Sequence, residues 1–389
     1  MSGDDKPKGK SRKILGLIFW LVILALLTLV ALSLIPGKAP GQSILSEIFA
    51  PRAPSVSVSE FNFDVGRERV FANAGGHVAA VGSLGLQMLS PDGQEVYRHA
   101  FRASAPAITE NNGFFIAYDI GGTSAFVFNT AGILSSIDTD GIIVSASVNK
   151  NGWFCIVTQA RGMHRGTVSV YNSNGDLVYL VNIGVGFTLA AELSPDNKNL
   201  AILSMAEIGS RITFYNGIDA HKDDPDNVYN FTNEIVIDID FISSLNLLAI
   251  STQALHLVDF SNDASAKLLK DFDGKRLAGY THNDRYIAVH LYDYSIGYSG
   301  STVTLDFNAE VLGETEFSLE IISMVFSRNT LMILRSDGLM FFNHTLEEYP
   351  APVIDILATA AGRVLAISDD MALVANDHSA VVIRRGEDN

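Results

Sequence analysis

The chain has 389 residues, 48% of them hydrophobic and 18% charged, enough apolar material for a large core and too much for a disordered chain. Its formal net charge of -16 repels phosphate backbones and argues against nucleic-acid binding. Cys155 is the single cysteine, which excludes an intramolecular disulfide.

The first strong element is Ile14–Ile35, which carries no charged residue. At helical rise it spans roughly 30 Å, the thickness of a bilayer's hydrocarbon, and so predicts a transmembrane helix. Residues 1–13 form a basic head, with Lys6, Lys8, Lys10, Arg12 and Lys13 against Asp4 and Asp5. The positive-inside rule puts that head in the cytoplasm and everything after the helix outside the cytoplasmic membrane, as a single-pass protein. The apolar run is too long for a signal peptide, and no A-x-A site follows it. Residues 36–54 then read as a Pro/Gly linker, broken by Pro36, Pro40, Pro51 and Pro54. Within it, Ile44, Leu45, Ile48 and Phe49 could form one short amphipathic turn, lying on the membrane or packed on the folded domain.

From residue 55 to residue 389 the pattern changes to short apolar runs separated by Gly, Asn, Asp and Ser clusters, an all-β signature. A tripeptide of apolar, small and apolar residues recurs just after a turn, centred on Ala80, Ala117, Cys155, Ala201, Ala249, Ala288, Met332 and Ala366. The mean spacing of about 41 residues fits a four-stranded propeller blade. Each unit reads as inner strand, turn, core strand, loop, third strand, turn and outer strand. Eight such units predict an eight-bladed β-propeller, with seven blades as the alternative, and Val56–Phe63 is placed to complete the last blade and close the ring. Cys155 fills the slot that Ala holds in most units, which predicts a buried structural thiol.

Chemistry is sparse. No metal-ligand spacing and no nucleophile motif is present, and Gly121-Gly122 falls in a hairpin loop instead of opening a helix, so no cofactor and no metal is expected. His256 and His290 sit in strand patterns and read as hydrogen-bonded structural histidines. The acidic run at 221–227 lacks the glycine and distal Glu of a calcium loop and reads as a solvated turn.

The candidate site lies in the loops between core strand and third strand, which in a propeller share one face with the links between blades. It comprises Tyr118, Asp119, Arg161, His164, Arg165, Arg211, Tyr292, Asp293, Tyr294 and Tyr298, an arginine and tyrosine set suited to an anionic or sugar-like partner. The alternative is an envelope glycan hydrolase or lyase at the channel mouth, for which Asp119 and Asp293 are the available carboxylates.

The head and anchor Lys6–Ile35, Tyr118-Asp119-Ile120-Gly121-Gly122, Asn149-Lys150-Asn151-Gly152-Trp153 and Val168-Ser169-Val170-Tyr171-Asn172-Ser173-Asn174-Gly175 carry a resemblance. The chain resembles uncharacterised, single-span membrane proteins of Gram-positive, largely clostridial bacteria with an extracytoplasmic β-propeller. It is also loosely similar to the WD40-like and quinoprotein-like propellers, although the regular Trp-Asp ending and the tryptophan docking motif are absent. The resemblance implies an anchored extracytoplasmic propeller with no established activity, and the reading preferred here is a non-catalytic, membrane-tethered binding or scaffolding module for a cell-envelope protein or glycan.

Overall fold

The computed structural model describes residues 57–159, 165–184, 186–218, 224–293, 297–349, 362–376 and 379–385. The predicted membrane helix, its head and the linker lie outside them. Among the described residues no helix is long and apolar enough to cross a membrane.

The described residues form eight antiparallel sheets, seven of four strands and one of three, and consecutive sheets are the blades of a β-propeller. The inner strands are Val70–Ala74, Pro106–Asn111, Ile142–Val148, Phe187–Leu193, Val236–Phe241, Arg276–His282, Ile321–Phe326 and Arg363–Ser368. Blade 7 has three strands among the described residues. Blade 8 takes its outer strand from the start of the domain: Ser57–Asn62 pairs antiparallel with Ser379–Arg384, from Ser57↔Arg384 to Asn62↔Ser379. The expected closure is thus formed, and blade 8 has no free outer edge on its third strand.

Period-two alternation explains why the blades cannot stand alone. In the second strand of blade 3, Phe154 and Ile156 pack with blade 2, while Cys155 and Val157 pack with blade 4. The same holds around the ring, which contains eight hydrophobic clusters, each shared by two neighbouring blades. The cluster joining Val78 and Ala80 of blade 1 to Leu373 and Ala380 of blade 8 completes the circle.

Seven of the eight repeat centres lie on second strands. Ala366 does not: it sits on the inner strand Arg363–Ser368, and Met371–Ala375 is the second strand of blade 8. Because the amino-terminal strand fills the outer position, the last three strands of the chain take the inner, second and third positions. Cys155 is fully buried, its Sγ 3.1 Å from the Ser147 hydroxyl and from the Ala191 carbonyl, and burial pushes the thiol well up. His290 is also fully buried, with Nδ1 2.9 Å from Thr302 Oγ1, and burial pulls it down to about 4, so it is neutral near pH 7. His256 contacts Glu234 at 2.7 Å.

The turn asparagines do more than shape hairpins. Side-chain amides reach across to a neighbouring blade from Asn112 to the Lys150 carbonyl (3.2 Å), Asn149 to Ser194 (3.0 Å), Asn199 to Ser244 (2.7 Å) and Asn283 to Ser327 (2.8 Å). Asn73 bonds the Ala366 carbonyl of blade 8 in the same way. These bonds clamp the face that carries the inner-to-second turns, called here the turn face. The opposite, loop face carries the second-to-third loops and the links between blades.

Closure should be measurable. A chain starting at Phe63 leaves Ser379–Arg384 without its partner strand and is expected to melt about 10 °C or more below the intact protein in calorimetry. Unchanged melting would mean that the added strand contributes nothing to the ring.

Candidate functional site

The inner strands surround a central channel whose polar lining is concentrated near the turn face. A cavity of about 540 Å³ there is lined by Glu110, Lys150, Glu192, Asp240, His282 and the turn asparagines Asn111, Asn112, Asn149 and Asn283. Deeper, the lumen adds Asn73, Ser147, Asp238 and Arg363. Several acidic side chains come from the ends of inner strands: Glu110 precedes Asn111 in blade 2, Glu192 precedes Leu193 in blade 4, and Asp240 precedes Phe241 in blade 5.

These carboxylates are not equivalent. Burial first, and then the charges of Asp240 and Asp238, hold the Glu192 carboxyl well above the usual carboxylate range, against an opposing bond with Ser147. Burial also raises Asp240, although His282 beside it pulls the other way. Glu110 is raised by burial and partly compensated by the Gly113 N–H, which donates to it at 2.8 Å. Across the lumen, burial lowers the affinity of the Arg363 guanidinium for its proton.

Two of the acids bridge one seam. Side chains join the inner strands of blades 5 and 6: the Tyr280 hydroxyl donates to Asp238 at 2.7 Å, and His282 Nε2 lies 3.4 Å from Asp240. Where five other seams have an asparagine amide on a carbonyl, this one carries titratable groups, with Glu192 of blade 4 close enough to feel both aspartates.

The residues expected from sequence lie elsewhere. Tyr118 is buried between blades 2 and 3, in the same cluster as Ile116 and Phe154. Asp119 accepts the backbone N–H groups of Ser104 and Ala105 at 2.8 and 2.7 Å, fixing the link that enters blade 2. Asp293 pairs with Lys275 at 3.1 Å in blade 6. Asp119 and Asp293 therefore belong to opposite blades of the ring, each with its own structural partner, and they do not form an acid/base pair. Arg211 donates to Asn230 at 3.0 Å on its own blade. Arg165 lies over the Phe187 ring at 5.9 Å, and Tyr292 packs edge-on against Tyr298 beneath the Arg276 guanidinium. Arg161, His164 and Tyr294 lie outside the described residues.

What the loop face does gather is apolar. Leu84, Ile120, Ile208 and Tyr298 are exposed on second-to-third loops, with Met205 at the end of a second strand. Ile142, Phe187, Ile235, Ile237, Leu319 and Ile322 are exposed on the links or at the starts of inner strands. Phe187, Leu84 and Ile208 retain 59–60% of their accessible surface. The other exposed large hydrophobics, such as Leu268 and Val311, lie on outer strands, and among the described residues none lies in the turns of the turn face.

Sequence reasoning missed the channel acids and the apolar rim. A signal existed for the first: Val236-Ile237-Asp238-Ile239-Asp240 alternates acid with aliphatic, although acids on an inner edge look the same as acids on a solvated strand. The rim had no local signal, because it is assembled from single residues on many blades.

Glu192 makes a pH-dependent prediction. Its folded-state affinity for a proton exceeds that of the unfolded chain, so its contribution to stability declines as pH rises from the unfolded value through the raised one. Glu192→Gln is expected to raise the melting temperature at pH 7.5 by about 3 °C or more, with a smaller gain near pH 5. An equal effect at both pH values would contradict the assignment.

Among solved structures, the chain is similar to Saccharomyces cerevisiae Sqt1, with a TM-score of 0.61 at 12% identity, over 85% of this chain and 98% of that one. It is also similar to BamB from Moraxella catarrhalis, with a TM-score of 0.54 at 11% identity, over 85% of this chain and 100% of that one. At such identities the likeness is one of fold. No curated protein matches the sequence. Residues 56–345, which take in the first seven blades, match a Family of unknown function (DUF5711), and the chain belongs to that family.

Proposed function

We propose that this protein is a non-catalytic docking module, tethered by Ile14–Ile35 to the outer side of the cytoplasmic membrane, which holds a cell-envelope protein on the loop face of its propeller. The observation that carries this reading is the apolar rim of that face. Single exposed hydrophobics are ordinary, but a set gathered on one face and absent from the turns of the opposite face among the described residues marks a contact surface. The membrane part rests on the uncharged 22-residue stretch and the basic head that precedes it.

A protein is favoured over a glycan by the chemistry of the rim. Its members are mostly aliphatic, whereas sugar recognition draws on flat aromatic faces surrounded by hydrogen-bonding groups. Arg165 stacked on Phe187, together with Tyr298, supplies the aromatic and guanidinium anchors common in protein interfaces.

A second reading, an envelope glycan hydrolase or lyase, draws on the channel mouth. There the Glu192 carboxyl is held well above the usual carboxylate range by burial and by the charge of nearby Asp240, at an open cavity, the unequal carboxylate environment that acid/base catalysis uses.

Substitution separates the two readings. Phe187→Asp combined with Ile208→Asp is expected to abolish co-purification of the partner with the tagged full-length chain from native membranes, at unchanged melting temperature. Val311→Asp, on an outer strand, is expected to retain it. Unimpaired recovery by the double variant would overturn the docking reading; release of soluble glycan fragments that is lost in Glu192→Gln would establish the enzymatic one.

A further inference from the structure

The rim is not uniform. Between blades 1 and 2 it deepens into a groove of about 580 Å³, walled by Arg67 and Arg69 on the link that follows the closing strand and by Pro106 and Ile120 of blade 2. Leu84, exposed on the neighbouring loop of blade 1, has its side chain against Gly66, next to Arg67 in the chain.

The backbone around the groove is already committed. Ser83 donates to the Arg67 carbonyl and Leu84 to the Val65 carbonyl, both at 2.9 Å, and Ile120 donates to the Ala105 carbonyl at 2.9 Å. The Arg67 N–H donates to Ser83 Oγ, the Ala105 N–H to Asp119, and Pro106 has no N–H to offer. A guest therefore gains little by adding a strand, and recognition falls to side chains.

Those side chains are positioned. Glu68, between the two arginines, is held in the left-handed region at φ 53°, a conformation that non-glycine residues adopt at a cost. The Arg69 guanidinium lies 5.6 Å from the Phe63 ring centroid, which fixes it in place. Arg67 is exposed, and among the described residues it has no ion-pair partner. The Arg67 guanidinium beside apolar walls, in a chain of net charge -16, favours a carboxylate. Glu68 lines the same groove, which disfavours a polyanion and suits one acidic side chain at a time.

We propose that this groove is the specificity pocket of the docking face and takes an acidic, aliphatic peptide segment of the partner. A side-chain carboxylate pairs with Arg67, and a neighbouring Leu, Ile or Val seats on the exposed Ile120. The inference rests on the docking reading above and narrows it to one kind of sequence.

The test is selection of a random linear peptide display library on the immobilised full-length protein in detergent. Selected peptides are expected to carry Asp or Glu next to an aliphatic residue. Binding of a synthetic copy is expected to fall about tenfold or more in Arg67→Glu and in high salt. Ile120→Ser is expected to weaken it independently of salt. Both positions are exposed, and an unchanged melting temperature checks that each variant folds. Selected peptides without acidic residues, or with equal affinity for Arg67→Glu, would overturn the groove. If they bind Arg67→Glu normally but lose Phe187→Asp, the groove falls and the docking reading stands; indifference to both variants removes both.

Discussion

Every blade of this protein is apolar on both faces, and that one property dictates the rest. A second strand such as Phe154–Gln159 sends alternate side chains to opposite neighbours, so no blade can satisfy itself and no end of the array can be left open. Closing the circle requires the first and last blades to share a core, and the chain achieves this by giving its earliest described strand to its last blade. Ladder hydrogen bonds seal the outer edge there, and the asparagine amides do comparable work on the turn face.

Once the flanks of the blades are used for the ring, contacts with other molecules are left to the two faces, the outer strands and the channel. These surfaces are unlike one another. The turn face has its asparagines engaged in clamps and opens into an acidic lumen. The loop face carries aliphatic side chains that the ring does not need. The proposed protein-docking role rests on that asymmetry more than on any motif, since a stable fold gains nothing from leaving Phe187 and Ile208 in water.

Much of the architecture was legible in the sequence. A repeat of about 41 residues, with Asn and Gly turns, was enough to predict blade number, strand order and the closing strand. The centres it identified do not all point the same way, however: Ala117 packs toward blade 1, whereas Cys155 packs toward blade 4. Small apolar residues are wanted on both sides of a second strand, so a three-residue pattern cannot fix its phase. Ala366 failed for a related reason, because a borrowed outer strand shifts the last three strands inward. The candidate site was legible only at the level of the face. Asp119 looked like a free carboxylate in a loop, and only the fold reveals that two backbone N–H groups hold it. Glu192, Asp238 and Asp240 looked like scattered acids until the ring brought blades 4 and 5 to one lumen.

The central claim is that the loop face is occupied by another protein in the cell. Photo-crosslinking tests this most directly, with a benzophenone side chain placed at Ile208 or Tyr298 on the loop face, and at Leu268 or Val311 on outer strands, of the full-length protein in its native membrane. The account predicts one common crosslinked species from both loop-face positions and none from the outer strands. The same species from Leu268 and Val311, with none from Ile208 and Tyr298, would contradict it.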